Sequence, residues 1–542
     1  MKTFSHALCA GLLIWVPVVA SLHAVAATEP KKAIRHVVVI FNENVSFDHY
    51  FATYPVALNS PGEPKFTAQP GTPAVDGLSG DLLTKNPNFL NETNGQGKAN
   101  PFRLRRDQAA TADQSHSYRP EQLAFHGGKM DLFPKSVGHA DGPRIPGEHA
   151  GVPSTSGLTM GYYDGNTVTA YWNYAQHFSM SDRHFGVVFG PSTPGAINLV
   201  SGTTNGAVDD QNSQGGLIPD GGGGLTMIGD PQPVGDACSN TAGSLAHMTS
   251  RNIGDMLTEA KVSWGFFEGG FDRTVVNANG TTDCHRSSIG VTQLNVRDYT
   301  PHHQPFQYYK STANPQHVRP KSVKTIGTND DGEANHQYDT HDFLDALKDG
   351  NFPSVVYLKA PAYADGHAGN SDPLDEQRFT VTMINAIQQS PEWEHTVVFI
   401  AYDDSDGWYD HVKGPTRNGS AATMDELDGM GKCGDPETAL PGVNPATKHA
   451  YGRCGFGPRL PLLVISPWAK PNYVDHNISD QTSILRFVED VFLIGKRLGQ
   501  GSFDEKAGPL DSLFDFSKSK PQNMRRVLLS PETGEVTSVK EK

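Results

Sequence analysis

Two acidic pairs stand at the ends of apolar runs. Glu43 and Asn44 follow closely on His36-Val-Val-Val-Ile-Phe41, and Asp403 and Asp404 follow Thr396-Val-Val-Phe-Ile-Ala-Tyr402. Carboxylate and amide oxygens of this kind suit one hard or borderline divalent cation and fit soft-metal chemistry poorly. Adjacent residues on a regular strand face opposite ways, so both members of a pair reach one ion only where the strand gives way to an irregular turn. The competing reading is structural: one member of each pair caps a helix or forms a salt bridge.

A hydroxyl stands in Gly190-Pro191-Ser192-Thr193-Pro194-Gly195, between the apolar stretch from Phe185 to Phe189 and a helix-like one from Ala196 to Val200. There it would sit at a helix N-terminus, where unpaired amides and the helix dipole favour an anion. A metal would lower its pKa further and make it a nucleophile. Otherwise Ser192 or Thr193 is an N-cap. Of the 22 histidines, His116, His302, His303, His336 and His367 lie in polar turns. Pro301 and Pro305 hold His302 and His303 in a rigid extended loop. Protonated imidazoles can bind phosphate oxygens and donate a proton to a leaving alkoxide, work that favours mildly acid pH. His411, after Asp410, is expected to brace the turn around the acidic pair.

These side chains need a scaffold that gathers strand ends. Strand-like runs at 36–41, 354–359, 396–402 and 461–466 alternate with helical patterns at 167–177, at 339–347, and around Ile484, Leu485, Val488, Val491 and Phe492 after a cap at Ser479 or Asp480. That alternation predicts an α/β fold with a largely parallel sheet covered on both faces. Such sheets keep their sites outside the carboxyl ends of the strands. The 542 residues, with 56 Gly and 38 Pro, read as one catalytic domain over 27–518 with loop excursions at about 201–330 and 413–457. Gly221 to Gly224 in the first excursion indicates flexibility, since no Gly-Lys pair or helix follows. A polar tail over 519–542 is expected to fray.

Residues 1–26 read as a secretory signal: Lys2, a mostly apolar Ala7 to Ala20, and small residues at Ala24-Val25-Ala26. Removal would leave Cys238, Cys284, Cys433 and Cys454, and two disulfides are the expectation for an oxidising compartment, the periplasm or beyond. Three pairings are open; Cys238 with Cys284 and Cys433 with Cys454 would each staple one excursion. A net charge of -15 opposes broad attraction to nucleic acid or anionic membranes. After Ala27 no apolar run approaches a membrane span, so no stable membrane insertion is expected. The oligomeric state is not legible.

The run Asn42-Glu43-Asn44-Val45-Ser46-Phe47-Asp48-His49-Tyr50-Phe51, the turn Gly190-Pro191-Ser192-Thr193-Pro194, and Tyr402-Asp403-Asp404-Ser405-Asp406-Gly407-Trp408-Tyr409-Asp410-His411-Val412 together resemble the bacterial phosphoesterase family of secreted acid phosphatases and phosphatidylcholine-type phospholipases C. The resemblance runs from about Ile34 to Phe516. It implies an alkaline-phosphatase-like α/β fold and one divalent metal ion, of identity left open, on Glu43, Asn44, Asp403 and Asp404. It also implies Ser192 as the nucleophile, with His116, His302, His303 and His367 around the phosphate. Ser192 in place of threonine, Asp403-Asp404 in place of Asp-Glu, a plain signal and little chain after Phe516 favour the acid phosphatase branch. The late helix departs from the family's His-Thr-Ser, reading Asp480-Gln481-Thr482-Ser483.

The expected activity is therefore metal-dependent hydrolysis of a small phosphate monoester through a phosphoserine. One alternative is phospholipase C action on a choline-containing diester, for which Trp172, Tyr171, Tyr308 and Tyr309 are candidate cage aromatics. Another is a secreted binding protein in which the metal only joins two loops.

Overall fold

The computed structural model describes residues 1, 29–138, 156–444, 449–517, 520–521 and 524–540. The signal expected at 1–26 lies, apart from Met1, outside the described residues. At the centre is an eight-stranded sheet made of β1 (His36–Asn42), β2 (Ser179–Ser181), β3 (Trp264–Glu268), β4 (Gln337–Tyr338), β5 (Val355–Lys359), β6 (Thr396–Tyr402), β7 (Leu462–Ile465) and β8 (Tyr473–Asp475). Their spatial order is β4-β3-β5-β1-β6-β7-β2-β8. Among these strands β7 alone runs against its neighbours, and every other pairing is parallel. The expected α/β architecture with a largely parallel sheet is thus the one observed.

Every residue of β1, β5 and β6 is buried. Their sequences run through Val, Ile, Leu and Phe with little polar alternation, as strands covered on both faces require. Each such side chain removed from water contributes about 1.5–3 kcal/mol, which makes the sheet centre a firm support for what projects from its edge. β1 lies between β5 and β6, with Val39 opposite Tyr357 on one side and Phe399 on the other. Their carboxyl ends therefore lie side by side.

The principal helices are α1 (Phe47–Phe51), α2 (Tyr118–Phe125), α3 (Thr169–His177), α4 (Ser192–Ser201), α5 (Thr340–Asp349), α6 (Pro373–Gln389) and α7 (Gln481–Phe492). α4 packs against α7. Trp172 of α3, fully buried, donates its indole N–H to the Tyr50 carbonyl at 2.7 Å and so ties α3 to α1.

Two expectations need correction. The stretch 201–330 is not wholly an excursion. Its first part forms a separate five-stranded sheet from strands between Asn205 and Met248, but a helix at Ile253–Glu259 and then β3 return the chain to the core. Trp264-Gly-Phe-Phe-Glu268 is as fully buried as β1; a short strand surrounded by glycine-rich loops lacks the length that announces one. The tail, for its part, does not fray where it is described. Arg526–Leu529 and Val536–Lys540 pair as a hairpin, the alternate residues Val527 and Leu529 are buried, and Gln388 of α6 bonds both ways with the Val527 backbone. The structure pairs Cys238 with Cys284 and Cys433 with Cys454.

Candidate active site

Both acidic pairs emerge where regular strand ends. Asn44 adopts a left-handed φ of 55°, which breaks the alternation of β1 and brings Glu43 and Asn44 to the same side. The Asn44 amide N–H donates to Asp403 Oδ1 at 3.0 Å, and so does that of Asp404 at 2.8 Å. Beyond them Asp406 (φ 52°) and Gly407 (φ 66°) turn the chain back, with the Asp406 N–H on Asp404 Oδ1 at 2.7 Å. Asp403 also holds the ends of β1 and β6 together.

Ser192 is the first residue of α4 and only 2% exposed. Its Oγ lies 3.0 Å from Glu43 Oε2, 3.3 Å from Asp404 Oδ2 and 3.5 Å from Asn44 Oδ1. One hydroxyl proton can go to only one of these oxygens. Gly195 sets the approach: a Cβ there would stand 2.2 Å from the Asp403 carbonyl oxygen, so only glycine lets α4 come this close to the acidic turn. Thr193 donates its N–H to Asp230 Oδ1 at 2.9 Å and its hydroxyl to the His302 carbonyl at 3.5 Å.

The four histidines divide electrically. His303 is buried, with Nε2 3.4 Å from Glu43 Oε2 and Nδ1 3.7 Å from Asp365 Oδ2; burial holds its pKa well down, and that of His302, edge-to-face against it, is lowered for the same reason. His116 and His367 go the other way. Burial opposes their charge, but Asp404 and Asp406 around His116, and Asp406 with Asp113 around His367, outweigh it; His116 is raised well above the usual value and His367 to about 9. Asp406 Oδ1 lies 3.1 Å from His116 Nδ1. The surroundings thus favour the charged form of His116 and His367 and the neutral form of His302 and His303. His336, by contrast, stacks on Trp264 in the core.

Two site residues escape a reading of the sequence. Lys359, the last residue of β5 and 1% exposed on its side chain, pairs with Glu43 Oε1 and lies 3.6 Å from Asp403 Oδ2. A lysine closing an apolar run is ordinarily solvated, and only its neighbours in space reveal it. Glu121 of α2 accepts from the Gly190 N–H at 2.9 Å and from Ser405 Oγ at 2.7 Å, joining the turn ahead of Ser192 to the acidic one. Burial favours the neutral acid of Glu43, but the Lys359 ammonium against Oε1 opposes it and the pKa is held well below the usual value. His411 braces as expected, with Nδ1 2.6 Å from Asp48 Oδ2, while Arg459 ties Asp48 to Asp410. Gln481, in place of the family's histidine, donates to the carbonyls of Tyr402 (3.0 Å) and Asp403 (2.6 Å).

The oxygen set suits a cation. One end of the Asn44 side-chain amide stands 2.7 Å from Glu43 Oε2 and 3.2 Å from Asp403 Oδ1: with its nitrogen there it donates to both carboxylates, and with its oxygen there it joins them as a third ligand for a cation. Asp403 Oδ2 is buried without a hydrogen-bond partner. Burial, with Glu43 nearby, raises the Asp403 and Asp404 carboxyls, Asp404 to about 7. Such a cluster is relieved by a hard divalent ion.

The profile of the Phosphoesterase family matches residues 34–495. The chain belongs to the phosphoesterase family. Among relatives, the non-hemolytic phospholipase C of Pseudomonas aeruginosa is 24% identical over 498 residues, covering 90% of this chain; the chain spans 58% of that protein's length. Phospholipase C A of Mycobacterium tuberculosis is 22% identical over 511 residues, covering 92% of this chain and 81% of that one. A solved protein of the alkaline phosphatase superfamily from Vibrio parahaemolyticus aligns over 67% of each chain at 13% identity and a TM-score of 0.27, a likeness too slight to argue from. Within the phosphoesterase family, the aromatics considered for a choline cage, Tyr171, Trp172, Tyr308 and Tyr309, are at most 1% exposed here and belong to the core.

Proposed function

We propose that this phosphoesterase is exported and hydrolyses phosphate esters through a phosphoserine at Ser192. The observation that carries the reading is the convergence of the Ser192 hydroxyl on Glu43, Asn44 and Asp404 at the head of α4. Glu43, Asn44, Asp403 and Asp404 would hold one divalent ion, which when bound lowers the hydroxyl's pKa and offsets charge on the phosphoryl oxygens. Ser192 passes its hydroxyl proton to Glu43 Oε2, 3.0 Å away, and attacks phosphorus in line as the bond to the leaving oxygen breaks. The imidazolium groups of His116 and His367 meet the charge that develops. One imidazolium then gives its proton to the departing alkoxide; a neutral imidazole, His302 or His303, takes a proton from the water that cleaves the phosphoserine, and the released seryl oxygen takes its own proton back from Glu43. The two disulfides suit the oxidising compartment that export would provide.

For the substrate class, the relatives' names favour a phosphodiester of the phospholipase C kind over the phosphate monoester expected from the sequence. The monoester stands as a second reading on one observation: the four aromatics proposed for a choline cage are core residues. The test is kcat/KM at mildly acid pH for an aryl phosphate monoester against the matching phosphorylcholine diester, with Ser192→Ala as control. Activity on either ester that is lost in Ser192→Ala, with the fold retained, supports the reading and the better substrate names the class. Full activity in Ser192→Ala, or none in the wild type with divalent ions added back, overturns it.

A further inference from the structure

Behind the site, one carboxylate touches both strands that deliver the ligands. Glu376, on α6 and fully buried, accepts at its Oε1 from the Asn42 side-chain amide at 2.7 Å and from the Tyr402 hydroxyl at 2.8 Å. Asn42 and Tyr402 are register partners on β1 and β6, and each is the last residue of its strand. Glu43-Asn44 and Asp403-Asp404 follow immediately. The other oxygen, Oε2, accepts from the Tyr50 hydroxyl of α1 at 2.6 Å, a contact that touches no ligand-bearing strand.

We propose that Glu376 is a positioning residue: its Oε1 pins Asn42 to Tyr402 and so sets the spacing of the two acidic pairs for their cation. The inference rests on the proposed reading that those pairs hold the metal. The geometry gives it a specific form. A polar clamp in the core is expected to orient the groups it holds only along the bonds it makes, and here two of three bonds lead to the strand ends and one leads elsewhere. Partners that orient metal ligands from behind typically change affinity by about 10- to 100-fold when lost.

The test titrates Mn2+ into metal-stripped full-length protein, following free Mn2+ by electron paramagnetic resonance, with thermal melts alongside. Tyr402→Phe and Tyr50→Phe each delete one hydroxyl from the same carboxylate and should lower Tm alike, but only Tyr402→Phe should weaken Mn2+ binding, by about tenfold or more. Glu376→Gln keeps an acceptor for Asn42 and Tyr402 and should bind within about threefold of wild type, whereas Glu376→Leu should not. Where Glu376→Leu fails to fold, the tyrosine pair decides. Equal affinities for Tyr402→Phe, Tyr50→Phe and wild type overturn the inference and leave Glu376 a core residue. Absence of Mn2+ binding in the wild type overturns instead the assignment of the metal to these four ligands.

Discussion

Lys359 divides the Glu43 carboxylate between an internal cation and the Ser192 hydroxyl: the ammonium pairs with Oε1, while Oε2 faces Ser192 Oγ at 3.0 Å. Asp403 Oδ2 lies 3.6 Å from the same ammonium. Lys359→Met keeps much of the stem and removes the charge, leaving buried carboxylates without their counter-ion. Breaking a buried pair from one side costs about 3–5 kcal/mol. Chelator-treated Lys359→Met should therefore melt well below wild type, and added Mn2+ should recover most of the loss, because a bound cation supplies the missing charge. Equal losses with EDTA and with Mn2+ would mean that Lys359 acts through packing alone.

The contrast between Glu43 and Lys359 marks what the sequence can reveal of this site. Glu43, Asn44, Asp403 and Asp404 are legible because continuous apolar runs stop abruptly in oxygen-bearing side chains, and Ser192 because glycine and proline frame it ahead of a helix. Those signals are local. Lys359, Glu121 and Glu376 carry no local mark, since each acquires its role from partners far away in sequence: Glu43 for the first, Gly190 and Ser405 for the second, Asn42 and Tyr402 for the third. The same holds for the fold. Long strands such as β1 and β6 announce themselves by length, whereas β3 and the hairpin at 526–540 exist because a neighbour covers them.

Glu121 supports a second prediction. Its carboxyl joins the Gly190 N–H to Ser405 Oγ, and burial, followed by the charge of Asp404, raises its pKa to about 8. Both the Gly190 N–H and the Ser405 hydroxyl donate to it. Glutamine keeps an acceptor oxygen for one partner and offers its amide N–H to the hydroxyl oxygen of the other, so Glu121→Gln should keep kcat/KM within about threefold of wild type. Glu121→Leu leaves a buried N–H and a buried hydroxyl unpaired, at about 1–3 kcal/mol each, and frees the two turns to drift apart. Small misplacements of reacting groups cost up to about 100-fold in rate, and the fall should appear chiefly in kcat. Steady-state kinetics on the three proteins decides; a glutamine variant as impaired as the leucine one would mean that the ionised carboxylate is required.

The His411–Asp48 pair makes stability depend on pH in a stated direction. Burial works against the imidazolium, but Asp48 and then Asp410 outweigh it and raise the pKa from 6.5 to about 9. The folded protein therefore keeps a proton that the unfolded chain gives up from about pH 6.5 onward. The contribution is complete below that pH, declines as pH rises, and is gone above about 9. The whole shift corresponds to on the order of 3 kcal/mol, an upper bound because Arg459 also pairs with Asp48 and holds it when His411 is neutral. Urea melts between pH 6 and 9.5 should show wild-type stability falling across this window, and His411→Asn should start lower and fall less. An identical slope in the variant would place the alkaline loss on other groups and leave His411 uncharged in the fold.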